Sequence, residues 1–510
     1  MFLLYLVLLI VPIILWGILF VKQRHRYWKD RGVSYLEPSF PKGNLGRSKK
    51  TEHFFELTKR LYFDLKTKER NGKPLGGIFV TIRPAAMVLD LDFVKTMFMK
   101  DFQYFNDRGF YFNERDDPIN ANLLTMKGEP WKILRHKLSP TFTSSKIKLM
   151  MPTMVDISKQ LIIRLNEDLK NENILELSDY FSRFTIDIIG SCAFGIECNS
   201  LKNSDTEFLR MGKKVFTTSK SRFLKVLFLS VFPEIAYKLH MKETLNDVDK
   251  FYTGLITEIV AYRERNNIQR NDFLNLLIQL KKKGELDDSF GKNSEGLTLK
   301  EVISNTYIFL LAGYETSALT LQYCFLELAH NHEIQNRLRQ DIKDAFDQCN
   351  GEITYEAIME LKYMDQVLNE TLRRHTPVGF LVRYVSDDYR VENTDLVLEK
   401  GTAVIISTLG IHHDPDIYPD PEKFDPERFS PEAISSRHPC TFFGFGEGPR
   451  NCIGSRFAML EMKIAIIYLL MNYKFSLCDK TKYPIEYSNT RIIMAPAGGC
   501  WLKIEKLLKE

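Results

Sequence analysis

The segment Phe445-Gly446-Glu447-Gly448-Pro449-Arg450-Asn451-Cys452-Ile453-Gly454 limits what this chain can fold into more than any other stretch. Its three glycines and one proline force a tight, irregular turn. An apolar pattern with helical spacing starts directly after Cys452. A cysteine at a helix N-terminus faces unpaired N–H groups and the positive end of the helix dipole, and both favour the thiolate. A thiolate held in this way is a good soft ligand for iron. Two plainer readings compete. A lone cysteine is by default a buried structural residue, and a glycine-rich turn before a helix can cradle phosphate. Here the glycines at 444, 446 and 448 follow no buried strand and lack the lysine of a phosphate loop.

The other seven cysteines (192, 198, 324, 349, 440, 478 and 500) are dispersed, without a C-x-x-C pair. Neither structural zinc nor a disulfide scaffold is favoured, and a reducing compartment fits best. The 510 residues are 44% hydrophobic and 26% charged, the profile of a packed globular protein rather than a disordered or fibrous one. A net charge of +5, from 70 basic and 65 acidic residues, is too balanced to argue for nucleic acid. The 36 phenylalanines allow a large apolar interior or pocket.

Residues 1–21 carry no charge, and at about 1.5 Å per helical residue they reach about 30 Å, a hydrocarbon core. Lys22, Arg24, Arg26, Lys29 and Arg31 follow at once. That order predicts a membrane anchor whose tail points to the lumen and whose following chain faces the cytosol. A cleaved signal peptide would have a basic start, a shorter apolar core and a small-residue cleavage site, none of which is present. Residues 22–50 then form a basic stop-transfer and a Pro-rich hinge through Glu37–Asn44, leaving 51–510 as the working domain. Helical periodicity dominates that domain, at 146–170, 180–196, 245–282, 299–330, 333–348, 361–375 and 454–472. Strand-like runs occur near 77–90 and between 380 and 408. The charged run from Lys281 to Glu295 reads as a surface loop. The fold class is therefore mainly α with a small β lobe.

Three further constellations have bland and chemical readings side by side. Glu370 and Arg373 stand at i and i+3, a common surface pair on one helix face. Ala312-Gly313-Tyr314-Glu315-Thr316-Ser317 interrupts a long apolar helix, where a threonine can simply bond back to the carbonyl four residues earlier. Trp131 and Arg135 lie one helical turn apart. His412-His413-Asp414 sits in a Pro/Asp-rich stretch and reads as loop rather than metal site.

Taken together, the motifs resemble the cytochrome P450 family. The Cys452 loop is similar to the family's F-x-x-G-x-R-x-C-x-G at Phe445, Gly448, Arg450, Cys452 and Gly454. Glu370 and Arg373, with Pro426-Glu427-Arg428-Phe429 downstream, resemble its E-x-x-R plus P-E-R-F triad, which implies a buried network of Glu370, Arg373 and Arg428. The Ala312–Ser317 stretch resembles the oxygen-activation motif, implying that Thr316 presents its hydroxyl to dioxygen while Glu315 relays protons. The resemblance further implies heme b (iron protoporphyrin IX) with Cys452 as axial iron ligand, and propionates met by Trp131, Arg135, Arg383 and Arg450. Pocket walls are expected at Phe112, Phe309, Ala312 and Val378.

Finer matches at Tyr35–Pro38, Lys137–Phe142 and Cys192–Gly195 look like insect microsomal members of the xenobiotic-metabolising branch. Arg374-His375-Thr376-Pro377 departs from that branch, which usually carries an aromatic and two prolines there, and the departure bears on substrate preference. The implied protein is a heme-thiolate monooxygenase with one N-terminal transmembrane helix in the endoplasmic reticulum. It would be fed electrons from NADPH by a separate cytochrome P450 reductase, in some cases with cytochrome b5, and would act on small lipophilic substrates. Two other functions stay open: a selective biosynthetic oxidase of a hormone or pheromone precursor, and a non-catalytic heme- or lipid-binding membrane protein. The run Val226–Phe232 is expected either to dip into the bilayer as a substrate entrance or to be an ordinary buried helix.

Overall fold

The computed structural model describes residues 2–69, 72–217, 219–283, 296–349 and 353–507. Its helices of ten or more residues are, in chain order, α1 (Phe2–Arg24), α2 (Phe54–Lys68), α3 (Gly128–Leu138), α4 (Ser144–Asp168), α5 (Leu177–Ile189), α6 (Glu207–Phe216), α7 (Lys220–Val231), α8 (Asn246–Asn266), α9 (Phe273–Lys283), α10 (Leu299–His330), α11 (His332–Gln348), α12 (Lys362–Arg374) and α13 (Ser455–Asn472). The strands are β1 (Leu75–Val80), β2 (Arg83–Val88), β3 (Ile174–Glu176), β4 (Leu381–Tyr384), β5 (Tyr389–Arg390), β6 (Val397–Leu398), β7 (Ala403–Ile406), β8 (Tyr473–Ser476) and β9 (Trp501–Lys506). The chain is mainly helical with a small β component, as the periodicity predicts.

Two compact units divide the chain. The first comprises Met1–Gly109, Val378–Pro419 and His438–Pro449. Its sheet has the order β1-β2-β7-β4, with a β1–β2 hairpin, a parallel β2–β7 pair and an antiparallel β7–β4 pair. Glu56 reaches back to the His53 N–H at the start of α2, and the buried stripe Leu57, Leu61 and Leu65 follows at four-residue spacing. That stripe joins Phe79, Met87, Val404 and Ile406 in one apolar cluster. His412, His413 and Asp414 are buried and structural. His412 Nε2 accepts the Phe443 N–H at 2.9 Å, and Asp414 accepts the Tyr62 hydroxyl at 2.8 Å.

The second unit comprises Phe110–Pro377, Asp420–Arg437 and Arg450–Glu510. Its axis is α10, 32 residues long and buried over most of its length, as a helix apolar on every side must be. Thr298 and Glu301 form a capping box at its start. Helix α5 packs along α10, and α13 along α4. A small sheet, β3-β9-β8, belongs to this unit.

Local breaks separate the elements from the sequence pattern. The 245–282 periodicity is two helices, because Asn267 turns left-handed (φ 51°) after α8. The 180–196 pattern ends at Ile189, followed by one wide turn over Gly190–Phe194 and a left-handed Gly195. The charged loop expected through 295 lies outside the described residues from 284 onward. Helix α1 spans 23 residues, but the side chains of residues 2–4 and 6–9 also lie outside them. Among the described residues no helix is long and apolar enough to cross a membrane.

Candidate active site

Cys452 lies two residues before Gly454, the N-cap of α13, and it is the one exposed cysteine of the eight. Burial pushes the thiols of Cys192, Cys198 and Cys500 up, and those of Cys324 and Cys440 to about 12 and about 11. Those sulfurs are held as inert thiols. Around Cys452 the second unit gathers guanidinium groups. Buried Arg450 stacks 4.0 Å over the Trp131 ring and donates Nη2 to the Met126 carbonyl at 2.8 Å. Arg135, one turn after Trp131 on α3, donates to the Asn451 carbonyl at 3.0 Å and to its Oδ1 at 2.9 Å. Burial pulls Arg135 below its ordinary pKa, and the nearby Cys452 opposes that. Arg135 is thus tied to the loop that carries the cysteine.

Gly448 and Arg383 belong to the first unit. Gly448 has φ +73°, and a Cβ there would sit 2.6 Å from the Phe98 carbonyl oxygen, so only glycine fits. Gly454 is different: a Cβ would meet only Phe142, at 3.8 Å. Phe445 is half-buried. On β4, Arg383 is 2% exposed and lies 4.9 Å from the Phe98 ring centroid. Nη1 reaches the Val382 carbonyl, while its buried Nε has no hydrogen-bond partner among the described residues. Burial, with Arg108 adding and Asp107 opposing, pushes it down to about 9. A buried guanidinium with an unsatisfied N–H calls for an anion.

Glu370, Arg373 and Arg428 are brought together. Arg373 donates Nε and Nη2 to the two Glu370 oxygens at 2.7 and 2.9 Å, and Nη2 also to the Pro421 carbonyl at 2.8 Å. Arg428 Nε stands 3.5 Å from Glu370 Oε1, which also accepts the Asp425 N–H at 2.9 Å. Burial pushes Glu370 up against these partners. The pair is no surface ornament: both side chains are fully buried.

On α10, Ala312 is exposed and Thr316 half-exposed, with the Thr316 hydroxyl donating to the Ala312 carbonyl. Glu315 is buried, and its Oε1 accepts Arg491 Nη1 at 2.7 Å. Val378 is exposed and Phe112 half-buried. Phe309 packs in an aromatic cluster. Its ring lies 4.1 Å from Phe273 and 5.1 Å from Phe142, both edge-on.

Sequence reasoning missed the ion cluster that fills the departure at 374–377. Glu327 on α10 accepts Arg374 Nη1 at 2.9 and 3.0 Å and contacts His375 Nε2 at 2.7 Å. His375 Nδ1 meets the Tyr487 hydroxyl at 3.0 Å, and Tyr323 stacks on its ring. Burial raises and the His375 contact lowers Glu327, with a net fall; burial lowers His375. An acidic residue in so apolar a helix was the available signal. Among the described residues no group of three or more His, Cys, Asp or Glu is placed to hold a metal ion by itself.

Within the second unit, an exposed cysteine ahead of a helix, with the stacked guanidinium of Arg450 and Arg135 on the same loop, fits an iron porphyrin with its carboxylates. A family model described as Cytochrome P450 matches residues 51–502, and the chain belongs to that family. It is a cytochrome P450 monooxygenase, and the family implies a heme-iron cofactor. Probable cytochrome P450 6a20 of Drosophila melanogaster is 40% identical over 503 residues, 98% of this chain and 99% of that protein. Cytochrome P450 6A1 of Musca domestica is 40% identical over 496 residues, 96% of each chain. Cytochrome P450 6a2 of Drosophila melanogaster is 39% identical over 490 residues, 95% of this chain and 96% of that protein.

Proposed function

We propose that this monooxygenase oxidises small lipophilic xenobiotics, such as plant toxins or insecticides, with NADPH electrons delivered by a separate reductase. Cytochrome b5 would serve as a second donor. The observation that carries the reading is the exposed Cys452 at the head of α13, in a loop secured by Arg135. Cys452 would hold heme b through its iron; Arg383, Arg450, Trp131 and Arg135 would meet its propionates, with Phe445, Gly448 and Gly454 shaping the loop. When bound, the heme supplies activation of dioxygen and insertion of one oxygen atom into substrate. The chain's own work is orientation and proton control. Thr316 would hold a proton-bearing hydroxyl beside the exposed Ala312, and Glu315 would pass protons to it. Ala312, Phe112 and Val378 would line the pocket.

Residues 1–21 would anchor the chain in the endoplasmic reticulum membrane, with 22–50 as stop-transfer and hinge and the 51–510 domain on the cytosolic face. The run 226–232 is split: Leu229 and Val231 are buried, while Val226 and Phe232 are exposed. Exposed Phe223, Leu224, Ile235 and Leu239 extend that apolar surface on both sides, which supports contact with lipid.

The deciding experiment is the carbon monoxide difference spectrum of the reduced, membrane-expressed protein, wild type against Cys452→Ser. A strongly red-shifted Soret band lost in the variant is expected. Absence of that band from folded, heme-supplied wild type would overturn the assignment of Cys452. Turnover of a diverse lipophilic panel then separates detoxification from biosynthesis, since one product from one substrate would favour the latter.

A further inference from the structure

Glu315, Leu319, Tyr323 and Glu327 recur every fourth residue and so share one face of α10. The chain before β9 lies along that stripe. Arg491 binds Glu315, Ile493 and Ala495 cluster with Leu319 and Tyr323, and the Tyr487 ring stands 6.1 Å from that of Tyr323. The Tyr483 hydroxyl reaches Glu327 Oε2 at 3.4 Å. Arg491 also pairs by its backbone with Thr217, just past α6, and Phe216 packs against the same apolar cluster.

The charged end of this stripe is asymmetric. Glu315 is buried, but the Arg491 side chain is 42% exposed. One carboxylate oxygen is held by Arg491; the other, Oε2, is buried with no hydrogen-bond partner among the described residues. Burial pushes Glu315 up, and Arg491 is the leading opposing charge. Tyr314 from the same helix and Lys213 from α6 also face it and act in the same direction as Arg491. Thr316 follows about 100° further round the helix.

We propose that Arg491 is a positioning residue: by holding Oε1 at 2.7 Å from a half-exposed guanidinium, it fixes the Glu315 carboxyl at the charged end of the stripe, so that Glu315 can take a proton there before handing it on. This rests on the reading of Glu315 as the proton relay. The charge of a relay group on α10 is then set by a chain segment some 176 residues away. A substrate or ligand that shifts the 483–495 segment also shifts the proton relay.

The test uses full-length, heme-loaded protein as wild type, Arg491→Gln, Arg491→Lys, Glu315→Gln and the Arg491→Gln/Glu315→Gln double variant. The infrared C=O band of the Glu315 carboxyl, isolated by subtracting the spectrum of the matching Glu315→Gln protein so that other buried acids such as Glu461 cancel, is followed against pH, together with reductase-supported turnover of 7-ethoxycoumarin as the probe. In Arg491→Gln the midpoint of the band moves up by about 1 to 3 pH units, and the acid limb of turnover moves with it. The double variant supplies the baseline for Arg491→Gln, and Arg491→Lys returns both readouts toward wild type. An unmoved band and acid limb in Arg491→Gln, with turnover still lost in Glu315→Gln, would overturn the role of Arg491 and leave the relay standing. Wild-type turnover by Glu315→Gln at every pH would overturn both.

Discussion

Glu461 sits in an environment that disfavours its charge. It lies on α13 with no exposed surface, and neither carboxyl oxygen has a hydrogen-bond partner among the described residues. Burial pushes it up to about 8. Below the ordinary value of 4.5 both folded and unfolded chains hold the proton, and stability is unaffected. Between 4.5 and about 8 only the folded chain holds it, so this contribution is lost as pH rises, by an amount on the order of a few kcal/mol, and is constant above that window. Melting temperatures from pH 5 to pH 8 should therefore fall more steeply for wild type than for Glu461→Gln. Parallel curves would show that Glu461 is not buried as an acid. Cys452, Arg450 and Glu370 were legible in the sequence because each sits in a motif of fixed spacing. Glu461 and Arg491 were not, since a carboxylate in an apolar helix and an arginine in an irregular stretch take their meaning only from residues distant in the chain.

At the scale of elements, the buried triad ties α12 to the turn at Pro426–Phe429. Glu370→Ala would strand Arg373, which is fully buried, at a cost of about 3–5 kcal/mol. The expected result is a large loss of heme-loaded protein at unchanged expression, read as Soret absorbance per milligram. Lys132→Ala on the exposed face of α3 serves as a comparison and should load normally. Long helices such as α10 and α13 were legible because their apolar repeat runs for many turns. Two strands of the second unit were not: β3 is three residues long and β8 starts directly after α13, leaving no alternation to detect in either. The aromatic cluster around Phe309 escaped for another reason. Spacing places a residue on a helix face but does not say which neighbour that face meets.

For the molecule as a whole, membrane attachment is the property that a fractionation experiment checks. Deleting residues 1–21 should move much of the protein from membranes to the soluble fraction. Further replacement of Phe223, Leu224, Ile235 and Leu239 by serine should release the remainder. Unchanged partition in the second variant would remove the lipid-contact reading of α7. The mainly helical character was legible from periodicity, whereas the division into two units was not, because each unit is assembled from separated stretches. That division has a consequence for synthesis. The first unit lacks its last stretch until Pro449 has been made, so a nascent chain must leave its opening 109 residues waiting while most of the second unit is translated. Neither unit can be cut out as one uninterrupted piece of gene, and a ribosome stalled before residue 438 would display a sheet-bearing unit still missing its final segment.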